Sequence, residues 1–147
     1  MKLFFFIIIV FFNILQLARA QAEQVFIIDI EKLTAKKKNF NIIGNKEEGK
    51  KLFISRKVNC LSCHLAPIAS EKFQGNFGPV LEKIGLRYSK DELRLRIINP
   101  KVINPDTIMP AYFIKIKYSR TPKKYFNKTI ISAQEVENLV EYLYSLK

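Results

Sequence analysis

Histidine is almost missing from this chain: His64 is the only one in 147 residues, and cysteine is confined to Cys60 and Cys63. A structural zinc site needs four ligands, so three nitrogen or sulfur donors argue against one. Methionine is equally scarce, with Met109 alone after the initiator. Acidic residues number 13 against 25 Lys and Arg. The one long apolar run, Leu3 to Phe12, spans ten residues, about half of what a membrane-crossing helix requires. No internal repeat occurs, and no low-complexity segment lies outside that run, which argues against a repeat array.

The few scarce residues stand together. Cys60-Leu61-Ser62-Cys63-His64 is a C-x-x-C-H pattern, the spacing at which two thiols attach covalently to one haem and the next residue ligates its iron. About one helical turn separates the cysteines, so both sulfurs reach one porphyrin edge and His64 lies under the ring. The competing reading is a thioredoxin-like dithiol, which needs its C-x-x-C at the end of a strand entering a helix. Here the preceding segment, Lys46 to Arg56, reads as helix. With both cysteines committed to one haem c, no disulfide is available, and the covalent cofactor must staple the fold.

Lys2, the apolar run and Ala18-Arg19-Ala20 together read as a cleavable export signal over residues 1–20. An uncleaved anchor is the alternative, weakened by Asn13, Gln16 and Arg19. Either way the folded part is expected outside the cytoplasm, in the periplasm, with no membrane span after cleavage. The remaining 127 residues suit one domain. Losing Lys2 and Arg19 leaves 23 basic residues against 13 acidic ones. Export argues against nucleic acid as the partner, so the excess instead suits encounter with acidic electron-transfer partners. Solvated surface lysines are the plainer explanation of the same excess.

Residues 21–44 form an N-terminal extension, with an apolar piece at Val25 to Ile30 and a basic run at Lys36 to Lys38; sequence alone does not place it in a core. The domain proper is expected over residues 45–147. Asn45 can cap a helix carrying Glu47 and Glu48 in its first turn, and Gly49 within it suggests close helix-helix approach. Ser89 to Glu92 and Ser132 to Glu135 are capping boxes. The first opens a helix burying Leu93 and Ile97 that stops at Asn99-Pro100; the second opens one with Val136, Leu139, Val140 and Leu143 at helical spacing. Turn-rich segments between them can close over a flat cofactor.

If the haem reading holds, His64 is the proximal ligand. Elimination makes Met109, in a loop stiffened by Pro105 and Pro110, the expected ligand on the opposite face; lysine, tyrosine or an open position are the alternatives, and a space-filling core methionine is the competing reading. A His/Met pair leaves no vacant position on the iron and favours electron transfer over bond-making chemistry. The second ring nitrogen of His64 needs an acceptor, for which the carbonyl of Pro79 is the candidate. Arg87, Tyr88, Arg94 and Arg96 could bind haem propionates, but solvated helix-surface cations explain them better.

From about Asn59 to Leu143 the chain resembles the SoxX family, the monohaem cytochrome c subunits of SoxAX complexes of thiosulfate oxidation. The resemblance rests on the C-x-x-C-H block, Phe73-Gln74-Gly75-Asn76-Phe77-Gly78-Pro79, Gly85-Leu86-Arg87-Tyr88, Ile103-Asn104-Pro105-Asp106-Thr107-Ile108-Met109-Pro110-Ala111-Tyr112 and Ala133 to Leu143. It implies an all-α, class I cytochrome c fold around one haem, with first and last helices crossing where Gly49 and Phe53 meet Tyr142. It also implies His64 and Met109 as ligands, and a SoxA-like partner subunit that carries the catalytic haem and joins thiosulfate to a cysteine of the SoxYZ carrier. This chain would then be the non-catalytic subunit, passing electrons to a downstream cytochrome. A free-standing cytochrome c shuttle is the competing function.

Overall fold

Among the described residues the first long helix, α1 (Lys46–Ile54), begins where Asn45 supplies the cap. Its side-chain oxygen accepts the backbone N–H groups of Glu47 and Glu48 at 2.9 and 3.1 Å, two donors that a helix start otherwise leaves unpaired. In the same residue, the backbone N–H donates to Asn138 Oδ1 at 2.9 Å, which fastens this helix start to the last helix. The computed structural model describes residues 25–38 and 40–147; the export signal expected over residues 1–20 lies outside the described residues.

Three further helices follow: α2 (Ile84–Arg87), α3 (Lys90–Ile98) and α4 (Ala133–Ser145). Reciprocal capping boxes open α3 at Ser89 with Glu92 and α4 at Ser132 with Glu135. The short α2 carries no sequence cap; Lys83 precedes it in the left-handed region at φ 58°. Among the described residues, no helix is long and apolar enough to cross a membrane.

The α1/α4 crossing organises the core. A Cβ on Gly49 would collide with the Asn138 carbonyl of α4, so only glycine lets the two backbones approach this closely. One turn further on, Phe53 and Tyr142 pack with ring centroids 5.3 Å apart at 56°. Phe53, Leu95, Ile131, Val136 and Val140 are almost completely buried around this contact, each contributing on the order of 1.5–3 kcal/mol by leaving water.

Part of the N-terminal extension belongs to that core. Strands β1 (Phe26–Asp29) and β2 (Thr34–Lys37) form an antiparallel hairpin, with Phe26 opposite Lys37 and Asp29 opposite Thr34. Ala35 is wholly buried, and Phe26 packs edge-on against Phe113 at 5.1 Å. The hairpin is the only sheet among the described residues, a small addition to a helical fold.

Arg94 corrects an expectation. Rather than a solvated cation or a propionate ligand, it is 2% exposed and does not line the cavity that holds both cysteines. Its Nε and Nη2 donate to the two carboxylate oxygens of buried Glu137 at 2.5 and 3.1 Å, Nη1 donates to the Ala35 carbonyl at 2.6 Å, and Asp91 pairs with it as well. Lys37 approaches the same Glu137 carboxylate at 3.5 Å. The hairpin strand β2 packs on α3 and reaches α4 through Lys37, removing water from a cation that the sequence pattern leaves on a polar face, and a bidentate carboxylate partner compensates its charge.

Candidate cofactor site

The C-x-x-C-H residues leave α1 through a tight turn. Asn59 adopts the left-handed conformation at φ 52°, which asparagine tolerates better than most residues. Cys60–Ser62 then form one turn of 3₁₀ helix, and the His64 N–H donates to the Cys60 carbonyl at 3.0 Å. Both cysteines and His64 thereby line one cavity.

A second segment is laced to this one by backbone hydrogen bonds. Gly75 N–H donates to the Leu61 carbonyl at 2.8 Å, Gly78 to Cys63 at 2.7 Å and Leu81 to Leu65 at 2.8 Å. The Gln74 amide completes the lacing: its oxygen accepts from Ala66 N–H at 2.7 Å, and its nitrogen donates to the Glu71 carbonyl at 2.8 Å. The result fixes the imidazole. His64 Nδ1 lies 2.8 Å from the Pro79 carbonyl oxygen, a contact that places the proton on Nδ1 and leaves Nε2 with a free lone pair. A Cβ on Gly78 would come within 2.5 Å of His64 Cε1, so glycine is required beneath the ring.

Met109 reaches the same cavity from a separate loop. Lys101 Nζ donates to the carbonyls of Pro105 and Thr107 at 3.2 and 3.1 Å, Asp106 N–H donates to Asn104 Oδ1 at 3.0 Å, and Met109 N–H donates to Thr107 Oγ1 at 3.2 Å. Beyond it, Tyr112 N–H donates to the Ile97 carbonyl at 3.1 Å, tying the loop to α3. The Tyr112 hydroxyl donates to the Val58 carbonyl at 2.7 Å, linking the methionine loop to the entry of the cysteine turn.

The cavity measures about 570 Å³, and its floor is apolar, with Phe53, Leu81, Ile97, Leu139 and Leu143. That size falls within the roughly 300–1,000 Å³ of small-molecule sites. Two thiols, an imidazole with a free nitrogen, a thioether and apolar walls match the donor set of a thioether-linked haem. Burial pushes the Cys60 thiol up to about 12, which keeps it protonated at neutral pH and ill-suited to thiol-disulfide exchange. Burial likewise raises the Tyr112 phenol.

Cys60, Cys63, His64, Pro79 and Met109, five residues singled out in the sequence, meet at this cavity, as do Arg87, Tyr88 and Arg96; Arg94 does not. Sequence reading gave no role to Gln74, Gly78 or Tyr112. Their parts depend on segments distant in the chain meeting, and no local pattern encodes that.

The family model for cytochrome c matches residues 46–147. Among solved structures, SoxXA from P. pantotrophus superposes with a TM-score of 0.71 at 25% identity, covering 83% of this chain and 94% of that one. No curated protein matches the chain.

Proposed function

The chain belongs to the cytochrome c family, and we propose that it is the electron-transfer subunit of a SoxAX-type complex that joins thiosulfate to a carrier cysteine. Haem c is its covalent cofactor. In this reading Cys60 and Cys63 would form the thioether links, His64 Nε2 and the Met109 sulfur would hold the iron, and the Pro79 carbonyl orients the imidazole. Haem so held supplies reversible one-electron chemistry, and the protein's share is to bind, orient and exclude water.

The observation that carries the reading is the convergence of His64 and Met109 on one apolar cavity with both cysteines. Two protein ligands leave no position for a substrate, so the chain moves electrons while a partner performs the sulfur chemistry. With haem bound, the Met109 thioether would favour the ferrous state and the apolar walls would disfavour added charge, both raising the potential. The partner is inferred from the likeness to SoxXA, the periplasmic location from covalent haem together with the leader-like N-terminus.

Reconstitution tests the assignment. The haem-loaded chain, a haem-loaded SoxA-like cytochrome and a SoxYZ-type carrier should together show thiosulfate-dependent reduction of this chain's haem, and the two cytochromes should co-purify. A monomer that exchanges electrons equally with unrelated partners, and shows no thiosulfate response, would make it a free-standing shuttle instead.

A further inference from the structure

The Met109 loop is tied up within itself, so its seat at the cavity depends on what fastens it to the rest of the molecule. Lys101 Nζ and the Asn104 and Thr107 side chains hold residues 104–109 to one another, and Pro110 then fixes the backbone and brings no N–H of its own. Fastening comes at Tyr112. Its N–H donates to the Ile97 carbonyl of α3 at 3.1 Å, and its carbonyl accepts from the N–H groups of Ile130 and Ile131, ahead of α4, at 3.0 and 3.2 Å.

Those backbone bonds join the loop to the helices; the side chain of Tyr112 runs instead to the segment that carries the cysteines. Its hydroxyl donates to the Val58 carbonyl at 2.7 Å, an ordinary full-strength O–H···O distance, and Cys60 neighbours the same hydroxyl. Tyr112 is 7% exposed and Val58 4%, so water is poorly placed to take over either partner. A buried acceptor stripped of its donor is costly, and the bond therefore resists any movement of the loop away from the cysteine turn.

We propose that Tyr112 is a positioning residue for the Met109 ligand: its hydroxyl latches the methionine loop to the cysteine turn and sets how often that loop opens to a donor from solution. The inference rests on the axial pair of His64 and Met109 and adds to it the group that keeps the pair closed. Protein segments open locally as cooperative units. A loop that carries its own internal bonds opens in one piece, when its outward ties break, and an outside donor gains the site in proportion to the fraction of time the loop stands open. For a chain that moves electrons, the latch keeps competing donors out of the cavity.

Imidazole is the probe. Mixing it rapidly with the oxidised, haem-loaded protein and following loss of the sulfur-to-iron charge-transfer band gives the rate at which the loop yields. Tyr112→Phe keeps the ring and removes only the hydroxyl, so the band itself is expected to persist while imidazole binds about tenfold faster, the factor that one buried hydrogen bond of ordinary net strength is worth. Val140, fully buried in α4, does not line the cavity; Val140→Ala should lower the thermal midpoint yet leave the imidazole rate at the wild-type value. The inference is overturned if Y112F binds imidazole at the wild-type rate, or if V140A quickens binding as much. A further readout needs no variant: in the wild type the Tyr112 hydroxyl proton should exchange slowly with methionine bound and rapidly in the imidazole complex. Equal protection in both overturns the inference even where Y112F does not fold. A wild type that lacks the band from the outset defeats the axial-pair reading on which the latch depends, and a spectrum taken first separates the two failures.

Discussion

Met109 is half-buried at the end of a loop that spends its polar groups on itself, through Lys101, Asn104 and Thr107. Such a loop holds its shape without help from a ligand, so shortening the side chain should leave the fold in place and open one coordination position. Met109→Ala is expected to abolish the sulfur-to-iron charge-transfer band of the oxidised protein and to let the ferrous form bind carbon monoxide; an unchanged spectrum would assign the sixth position to another residue. Scarcity made this residue legible, since one methionine follows the initiator. Arg94 was illegible for the converse reason. Its partner Glu137 lies 43 residues away and its cover, Ala35, 59 residues away, and nothing near it in sequence distinguishes it from Arg96.

Helix starts and crossings are where local chemistry speaks most clearly. The caps at Asn45, Ser89 and Ser132 stand where the sequence places them, because a cap needs only residues within one turn. Gly49 could be read as a close-approach residue and the family resemblance pointed to the last helix as its partner, but the backbone group it meets, the Asn138 carbonyl, emerges only from the fold. The short α2 escaped notice because it has no cap and only four residues.

These caps carry a pH signature. In Glu92, hydrogen bonds from the backbone and hydroxyl of Ser89 hold the carboxyl below its ordinary value. Burial works against the same effect at Glu135, yet a Lys57 hydrogen bond and the Ser132 backbone bring its carboxyl down too. A carboxyl whose pKa is depressed by folding stabilises the native state above its unfolded value, and that contribution is lost as pH falls through the folded one. Thermal midpoints should therefore be level near neutrality and decline below about pH 4, the unfolded carboxylate range. Replacing Glu92 and Glu135 with glutamine removes both titrating groups and should flatten this acid decline. A full decline in the double variant would place the acid-sensitive groups elsewhere.

Over the molecule as a whole, the hairpin and the basic excess are the features that only assembly explains. The hairpin's alternating strand residues look unremarkable until Phe26 meets Phe113 and Ala35 meets Arg94, contacts too distant in sequence to be inferred from it. The charge is uneven as well. No acidic residue occurs between Asp106 and Glu135, while Lys115, Lys117, Arg120, Lys123, Lys124 and Lys128 all fall there.

That stretch closes into a loop where Ile116 N–H donates to the Lys128 carbonyl at 3.0 Å and Asn127 N–H to the Ile116 carbonyl at 2.7 Å. Together with Lys57, which precedes the cysteine turn, it borders a surface cleft lined by Tyr118 and Tyr125. A net basic field at this position raises the encounter rate with an acidic partner and is screened over about 10 Å at 0.1 M salt. The second-order rate of electron exchange with an acidic redox partner should thus fall by about tenfold or more between low and high salt, while the rate within the preformed complex stays constant. Charge reversal at Lys123 and Lys124 should reproduce the loss at low salt. If the second-order rate is indifferent to salt, the basic face plays no part in encounter and the lysines serve solubility alone.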